Sequence, residues 1–390
     1  MRTARTPNDS HAHVMVVFGT RPETIKVAPV IRQLQLHSNI QTTVAFTGQH
    51  RNLVEPLLKL FKIDVNITLD VMKPNQPLNG LLANVLHTID PVLAEHSPDL
   101  VLVQGDTTTA LGGALAAFHR KIAVGHIEAG LRTSDPRVPF PEETNRRLIS
   151  QVAELHFAAT GDNRRRLLKE GIPPAGVFQT GNPVVDALQQ IGTTVNPSDK
   201  TQTLIDKTAQ YRRIVLTTHR RESMGDVMEG NLKVLADFVE RNHEAALIFA
   251  VHPNPNVKEC AQRILGNRPR IHLVEPLDYA DFIHVLKHSW LICSDSGGIQ
   301  EEAPSLGKRV IVLRNETERP EAIESGFATL AGDPAIFAEK LAAIYPHADR
   351  VPPAKDNPFG SGDAAQRIVE AIQAWWQAGK TAPTGAVYAS

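Results

Sequence analysis

Short apolar runs alternate with longer helical stretches along nearly the whole chain, and most runs end in a polar motif broken by glycine or proline. Strands are expected at Val14 to Phe18, Thr43 to Thr47, Leu100 to Gln104, Ile122 to Ile127 and Leu155 to Ala159. Helices of ten residues or more separate them, including an Ala/Gly-rich one from Thr108 to Phe118 that can lie close to a sheet. The alternation pauses around Gly181 to Asp199, where turn formers suggest a linker, and resumes with strands at Ile214, Ala246, Ile271, Trp290 and Val310. Strand–helix alternation at this spacing predicts parallel sheets covered by helices on both faces. With 390 residues, the chain is too long for one simple core. The expected fold class is therefore α/β, with two Rossmann-like domains facing across a cleft. The first spans 12–185 and the second 186–361. A last helix over 362–380 follows a Pro/Gly-rich connection whose length favours a return to the first domain.

Bulk properties narrow the function. The net charge of -1 gives no general attraction to nucleic acid or an anionic membrane. An anionic ligand must be held by local positive groups. Cys260 and Cys293 do not make a disulfide framework, and Cys293 lies in the strand-like run WLICSD as a buried thiol. The opening residues lack the apolar stretch of a signal peptide, and no run approaches the ~18 apolar residues of a membrane helix, so a cytoplasmic protein is expected. The 16 histidines form neither HExxH nor a Cys/His cluster at ligand spacing, and no metal is expected.

The motifs at the strand ends carry the chemistry. GTRPET at Gly19 to Thr24 follows a buried strand and opens a helix, the position that faces the ligand crevice of an open parallel sheet. Its first-turn N–H groups can hold an anion, with Arg21 as a fork of donors and Lys26 as a mobile charge. A surface ion pair between Arg21 and Glu23 is the plainer alternative.

Asp106 in QGDTTT, Glu128 in HIEAGLRT and Glu142 in PFPEETNRR end or follow strands of one sheet. Glu142, with Glu143, can merely cap its helix, and Asp106 can similarly cap the one that starts near Thr108. Three together suggest an acid/base set, with Arg132 and Arg137 near enough in sequence to balance their charge. In the second half, SDSGGIQEE puts Ser296, Gly297 and Gly298 at a helix start, where phosphate can approach backbone donors. Glu301 and Glu302 are placed in that first turn, where a carboxylate suits sugar hydroxyls better than phosphate. His219 with Arg220, and His252 in HPNP, follow two further strands.

In this order, GTRPExIK, QGDTTT, HxEAGLRT, PxPEExNR, HRRE, HPNP and SDSGGxQEE resemble the UDP-N-acetylglucosamine 2-epimerase family in its non-hydrolysing bacterial form, from about Val14 to about Ala371. The resemblance implies a glycosyltransferase-B-like architecture, a homodimer, and UDP-N-acetylglucosamine, UDP-N-acetylmannosamine and UDP as ligands, with no redox cofactor. It implies a route through 2-acetamidoglucal and bound UDP. Asp106, Glu128 and Glu142 match the family's acid/base carboxylates, and His219 the histidine near the departing phosphate. Arg21 and Lys26 match its first-domain cations, Ser296 a phosphate-binding serine, and Glu302 the carboxylate that holds the ribose. UDP is expected to dock on the second domain and draw the first over it.

Gln49 is retained from a pattern that holds a second, activating UDP-N-acetylglucosamine in some members. The neighbouring Asn52 and Leu53 depart from it, and Met72 to Gln76 lacks its arginine. Gln49 is therefore a candidate regulatory contact. A hydrolysing relative, an epimerase of a UDP-diacetamido uronic acid and a glycosyltransferase of the same architecture remain as alternatives.

Overall fold

The computed structural model describes residues 11–218, 225–347 and 357–380. They form two compact α/β units, the first running up to Ala187 and taking up the chain again from Phe359, the second spanning Leu188–Pro358.

The sheet of the first unit contains β1 (Ala12–Phe18), β2 (Ile40–Phe46), β3 (Ile67–Thr68), β4 (Leu100–Gln104), β5 (Ala123–Ala129), β6 (Leu155–Ala158) and β7 (Val177–Gln179). Its helices are α1 (Arg21–Gln35), α2 (Arg51–Phe61), α3 (Leu78–His96), α4 (Thr108–His119), α5 (Glu142–Val152) and α6 (Gly161–Lys169). The seven strands are all parallel, in the order β3-β2-β1-β4-β5-β6-β7. β1 and β4 are buried at every position, as expected of strands covered on both faces.

After β7 comes α7 (Pro183–Thr194), then α8 (Asp199–Lys207), the first helix to lie wholly in the second unit. The stretch read as a linker is thus largely helical. Val184, Val185, Leu188 and Ile191 recur at helical spacing and are buried. Their flanking Gly-Asn-Pro and Asn-Pro-Ser turns had masked that periodicity.

The second unit continues with β8 (Arg212–Thr217), α9 (Asp226–Arg241), β9 (Ala245–Ala250), α10 (Pro255–Leu265) and β10 (Ile271–Val274). It is completed by α11 (Tyr279–Lys287), β11 (Leu291–Ser294), α12 (Gly297–Ser305), β12 (Arg309–Val312), α13 (Pro320–Glu324), β13 (Ala328–Leu330) and α14 (Pro334–Ile344). Its six parallel strands run β10-β9-β8-β11-β12-β13. Phe249, Phe337, Leu216, Cys293 and Ile311 lie in its core.

Strand order reverses beside β1 in the first unit and beside β8 in the second, between β1 and β4 and between β8 and β11. A ligand of an open α/β sheet binds beyond the carboxyl ends at such a switch point. GTRPET follows β1 and QGDTTT follows β4; Thr218 follows β8 and SDSGG follows β11. The polar motifs of both units thus converge on the two switch points.

The final helix, α15 (Ala364–Gln377), packs on α1 in the first unit. Its fully buried Trp375 donates from Nε1 to Glu154 at 2.7 Å. The Asp186 carboxylate receives the Ala365 N–H at 2.9 Å and the Ala364 N–H at 3.3 Å, satisfying two first-turn donors of α15.

Candidate active site

The turn after β1 is built around a capping box. Thr20 precedes α1, and Glu23 reaches back to accept the Thr20 N–H at 2.7 Å and the Gly19 N–H at 3.1 Å. The other Glu23 oxygen accepts the Thr107 hydroxyl at 2.7 Å, while Thr107 itself caps α4 through Ala110 N–H. Glu23 therefore ties together the turns that carry Arg21 and Asp106, and does not serve as a surface partner. A Cβ at Gly19 would lie 2.1 Å from Thr47 Oγ1, so the close approach requires glycine. Gln49 lies beside the same turn and accepts from Thr109 Oγ1 at 2.8 Å.

Burial pushes the Glu23 carboxyl up from 4.5 to about 7, against the hydrogen bonds that pull it down. The native state therefore holds this proton more tightly than the unfolded chain does. Its contribution to stability is fully present below pH 4.5 and is lost as pH rises through about 7. At about 1.4 kcal/mol per pKa unit, wild type should lose up to about 3 kcal/mol over that window. Glu23→Gln should flatten the loss, which urea unfolding of both proteins at pH 5 and pH 8 will measure.

Glu128 occupies an unusual backbone position. The β5–β6 register slips between Ile127 and Ala129, and Glu128 has φ of 66°. A left-handed conformation at a non-glycine residue costs on the order of 1–3 kcal/mol and persists where the surroundings enforce it. Here Lys26 donates to Glu128 Oε2, and Asn182 Nδ2 donates to the same oxygen at 3.1 Å. Lys26, Glu128 and Asn182 are all buried.

Asp106 is clamped by α5. Arg146 Nε donates to its carboxylate at 2.9 Å, and Asn145 Nδ2 to its backbone carbonyl at 2.8 Å. Asp106 does not cap α4, because Thr107 does. Arg146 also lies 3.3 Å from Glu143, which is fully buried and takes Thr133 N–H and Arg147 Nε as well. Glu143 is thus held by a buried network, whereas Glu142 opens α5 half-buried.

The cations facing Glu128 and Asp106 are therefore Lys26 and Arg146. Arg132 instead forks onto Glu170, with two contacts of 2.8 Å, and Arg137 pairs with Asp135 at the surface. His126, on β5, donates from Nε2 to the Gly105 carbonyl at 2.7 Å. Burial pushes its imidazole down to about 3, so the ring is uncharged at neutral pH and braces the turn before Asp106.

In the second unit, β11 leads into Asp295, which accepts from Thr218 Oγ1 at 2.9 Å, and Ser296 stands at the N-cap of α12. No acidic residue lies in the first turn of α12. Glu301 and Glu302 fall one turn later than the sequence suggested, which separates their charge from Gly297 and Gly298. Glu301 accepts from Arg319 Nε at 2.6 Å, and Glu302 from the Tyr279 hydroxyl at 3.0 Å.

Arg319 is, with Arg146 and Asn182, a residue that sequence reasoning missed. A Cβ at Gly297 would lie 2.6 Å from its Nη1, so the guanidinium rests against the open glycine turn. Glu318 pairs with both Arg319 and Arg314, and these guanidiniums hold its carboxyl at about 2 despite burial. His252 follows β9 and accepts the Asn254 N–H at Nδ1, 3.2 Å away. His219 and Arg220 lie outside the described residues. Among the described residues, no group of three or more His, Cys, Asp or Glu is placed to hold a metal, and no helix is long and apolar enough to cross a membrane.

One unit thus carries cation-paired carboxylates, and the other an open glycine turn backed by an arginine. Fold and site together define a protein of two Rossmann-like units, the fold from which glycosyltransferase-B architectures are composed, equipped for an anionic ligand. The sequence profile of the UDP-N-acetylglucosamine 2-epimerase family matches residues 32–373. A probable UDP-N-acetylglucosamine 2-epimerase of Ralstonia nicotianae is 46% identical over 371 residues, covering 93% of this chain and 99% of its own. The UDP-N-acetylglucosamine 2-epimerase of Salmonella typhimurium is 42% identical over 370 residues, covering 93% and 98%. Among solved structures, the Neisseria meningitidis UDP-GlcNAc 2-epimerase bound to UDP-GlcNAc has a TM-score of 0.84 at 40% identity, covering 93% and 99%. S. aureus MnaA, solved with UDP, has a TM-score of 0.86 at 38% identity, covering 95% and 99%. The chain belongs to the UDP-N-acetylglucosamine 2-epimerase family.

Proposed function

We propose that this enzyme, whose UDP-N-acetylglucosamine 2-epimerase chemistry follows from its family, works by the non-hydrolysing route and interconverts UDP-N-acetylglucosamine and UDP-N-acetylmannosamine reversibly. The motif series supports the non-hydrolysing form, and the observation that supports proton transfer at C2 is Glu128, a buried carboxylate on a strained bulge, charge-balanced by Lys26 and hydrogen-bonded by Asn182. Strain of this kind marks a side chain held for a task.

The reaction balances without a redox partner. The C1–O electrons leave with the β-phosphate of UDP, and the C2–H pair becomes the C1=C2 bond of 2-acetamidoglucal. The C2 proton passes to a carboxylate. UDP then adds back to C1 while a proton is delivered to the opposite face of C2. Two faces require separate proton carriers, and Asp106, Glu128 and Glu142 supply three carboxyl groups.

Charge developing on the departing diphosphate needs cations and oriented donors already in place. Arg21 and His219 are assigned to that charge in this reading, and Lys26 to the charge of Glu128. Ser296, Gly297, Gly298 and Arg319 are assigned to the diphosphate as bound to the second unit, Glu302 to ribose, and His252 to the substrate beside them. Gln49, packed against the Gly19 turn, is assigned to a regulatory contact. A homodimer belongs to the same reading. Sedimentation would show the pairing.

NMR of purified protein with UDP-N-acetylglucosamine tests the route. UDP-N-acetylmannosamine should accumulate to an equilibrium mixture, and the same mixture should form from the other side. Free N-acetylmannosamine with stoichiometric UDP would assign the hydrolysing reaction instead.

A further inference from the structure

We propose that Asn182 is a positioning residue for the proton-transfer step. Its carboxamide sets the direction in which Glu128 presents its carboxylate. The proposal rests on the reading of Glu128 as an acid/base group.

Asn182 is 1% exposed, and the structure fills its polar capacity on three sides. Nδ2 donates to Glu128 Oε2 at 3.1 Å, Oδ1 accepts the Val184 N–H at 3.1 Å, and the backbone N–H donates to the Phe359 carbonyl at 2.8 Å. These contacts fix the orientation of the amide. The Val184 N–H, at the start of α7, demands an acceptor, and the carboxylate demands a donor, so a flipped carboxamide would fail both.

Lys26 reaches the same oxygen of Glu128 from α1. A lysine ammonium is a point charge on a flexible stem and fixes direction poorly, whereas a buried planar amide fixes it well. Lys26 therefore supplies charge and Asn182 supplies aim.

The backbone around Asn182 is closely packed and hydrogen-bonded. Gly181 and Gly360 both take left-handed backbone, at φ 85° and 111°, and a Cβ on Gly360 would lie 3.3 Å from Gly181 Cα. The returning segment from Phe359 is joined to Asn182 by its carbonyl, and to Asp186 by the first N–H groups of α15. A misplacement of about 1 Å at a reacting group can cost 10²-fold in rate.

The test compares Asn182→Ser, Asn182→Asp and Asp186→Asn with wild type. Serine can still accept the Val184 N–H but is too short to reach Glu128, so the start of α7 stays capped. Aspartate keeps the shape and opposes the carboxylate. Both Asn182 variants should lose about 10–100-fold in kcat with KM nearly unchanged. The primary isotope effect on kcat with UDP-[2-²H]GlcNAc should rise above the wild-type value, as proton transfer becomes rate-limiting. Asp186→Asn alters the neighbouring anchor of α15 but keeps an acceptor oxygen there and leaves the Asn182 contacts to Glu128, Val184 and Phe359 in place, so its kcat should stay within about twofold of wild type.

Asn182 variants with wild-type kcat and isotope effect would overturn the proposal. So would an Asp186→Asn enzyme as slow as they are, since that traces the loss to loosened backbone around Asn182. A wild-type enzyme that converts UDP-N-acetylglucosamine without exchanging its C2 proton would remove the acid/base reading itself, and this proposal with it.

Discussion

Glu128→Gln is expected to lower kcat for C2 epimerisation by about 10²–10⁴-fold, the usual contribution of a general acid or base, while UDP affinity changes little. Glutamine has the volume of glutamate and fits the same bulge, so the side chain remains in place but can act as neither acid nor base. The change also strips the buried Lys26 of its carboxylate partner. Removing one member of a buried ion pair typically destabilises by about 3–5 kcal/mol, because the remaining charge is left uncompensated. Urea unfolding is therefore measured beside kcat, and calorimetry with UDP reports the binding side. A large loss of turnover with UDP binding intact supports a chemical role. Turnover near wild type would return Glu128 to a structural bulge residue that neutralises Lys26.

Arg146→Met should be nearly as damaging, and for a double reason. Arg146 is buried between two carboxylates, holding Asp106 at 2.9 Å and lying 3.3 Å from Glu143. Methionine fills much of its volume but leaves both acids with one cation fewer. Glu143 keeps Arg147 and the Thr133 N–H, so the stability loss should lie near the lower end of the ~3–5 kcal/mol range for broken buried pairs. Asp106 loses the group that aims it, and kcat should fall by about 10²-fold. If Arg146 acts through Asp106, adding Asp106→Asn to Arg146→Met should cost far less than the sum of the two single losses. Full additivity in kcat would show that Arg146 serves only the fold.

The parts of this structure that were legible in the sequence share one property: they are periodic or sit at the end of something periodic. The strand–helix alternation follows from β1 and β4 being apolar at nearly every position and from amphipathic helices between the strands. Once strands are placed, GTRPET, QGDTTT and SDSGG fall at carboxyl ends, and the sheet order puts them at the switch points.

What was not legible depends on tertiary contact. Glu128 adopts left-handed backbone without any glycine to announce it, because Lys26 and Asn182 hold it there from other elements. Asn182 lay in a stretch read as linker, since Gly-Asn-Pro is a turn signal that also starts α7. Arg132 and Arg137 were nearer in sequence to the carboxylates than Arg146 is to Asp106, yet helical geometry aims Arg146 at Asp106 from α5, and the other two turn to Glu170 and Asp135. Arg319 stands before the short α13 with no strand end to mark it, and its place against Gly297 and Glu301 of α12 comes from tertiary contact alone. Glu301 and Glu302 slipped by a turn because α12 starts at Gly297, two residues before the first apolar residue of that helix.

The central claim is that the C2 proton is lost and regained within one catalytic cycle that retains UDP. Epimerisation of UDP-N-acetylglucosamine in deuterated water, followed by proton NMR at C2, tests it most directly. Deuterium should enter C2 of UDP-N-acetylmannosamine from the first turnovers and then appear in the UDP-N-acetylglucosamine pool as the reaction reverses, with no free sugar accumulating. Epimerisation that leaves the C2 hydrogen unexchanged would contradict the claim.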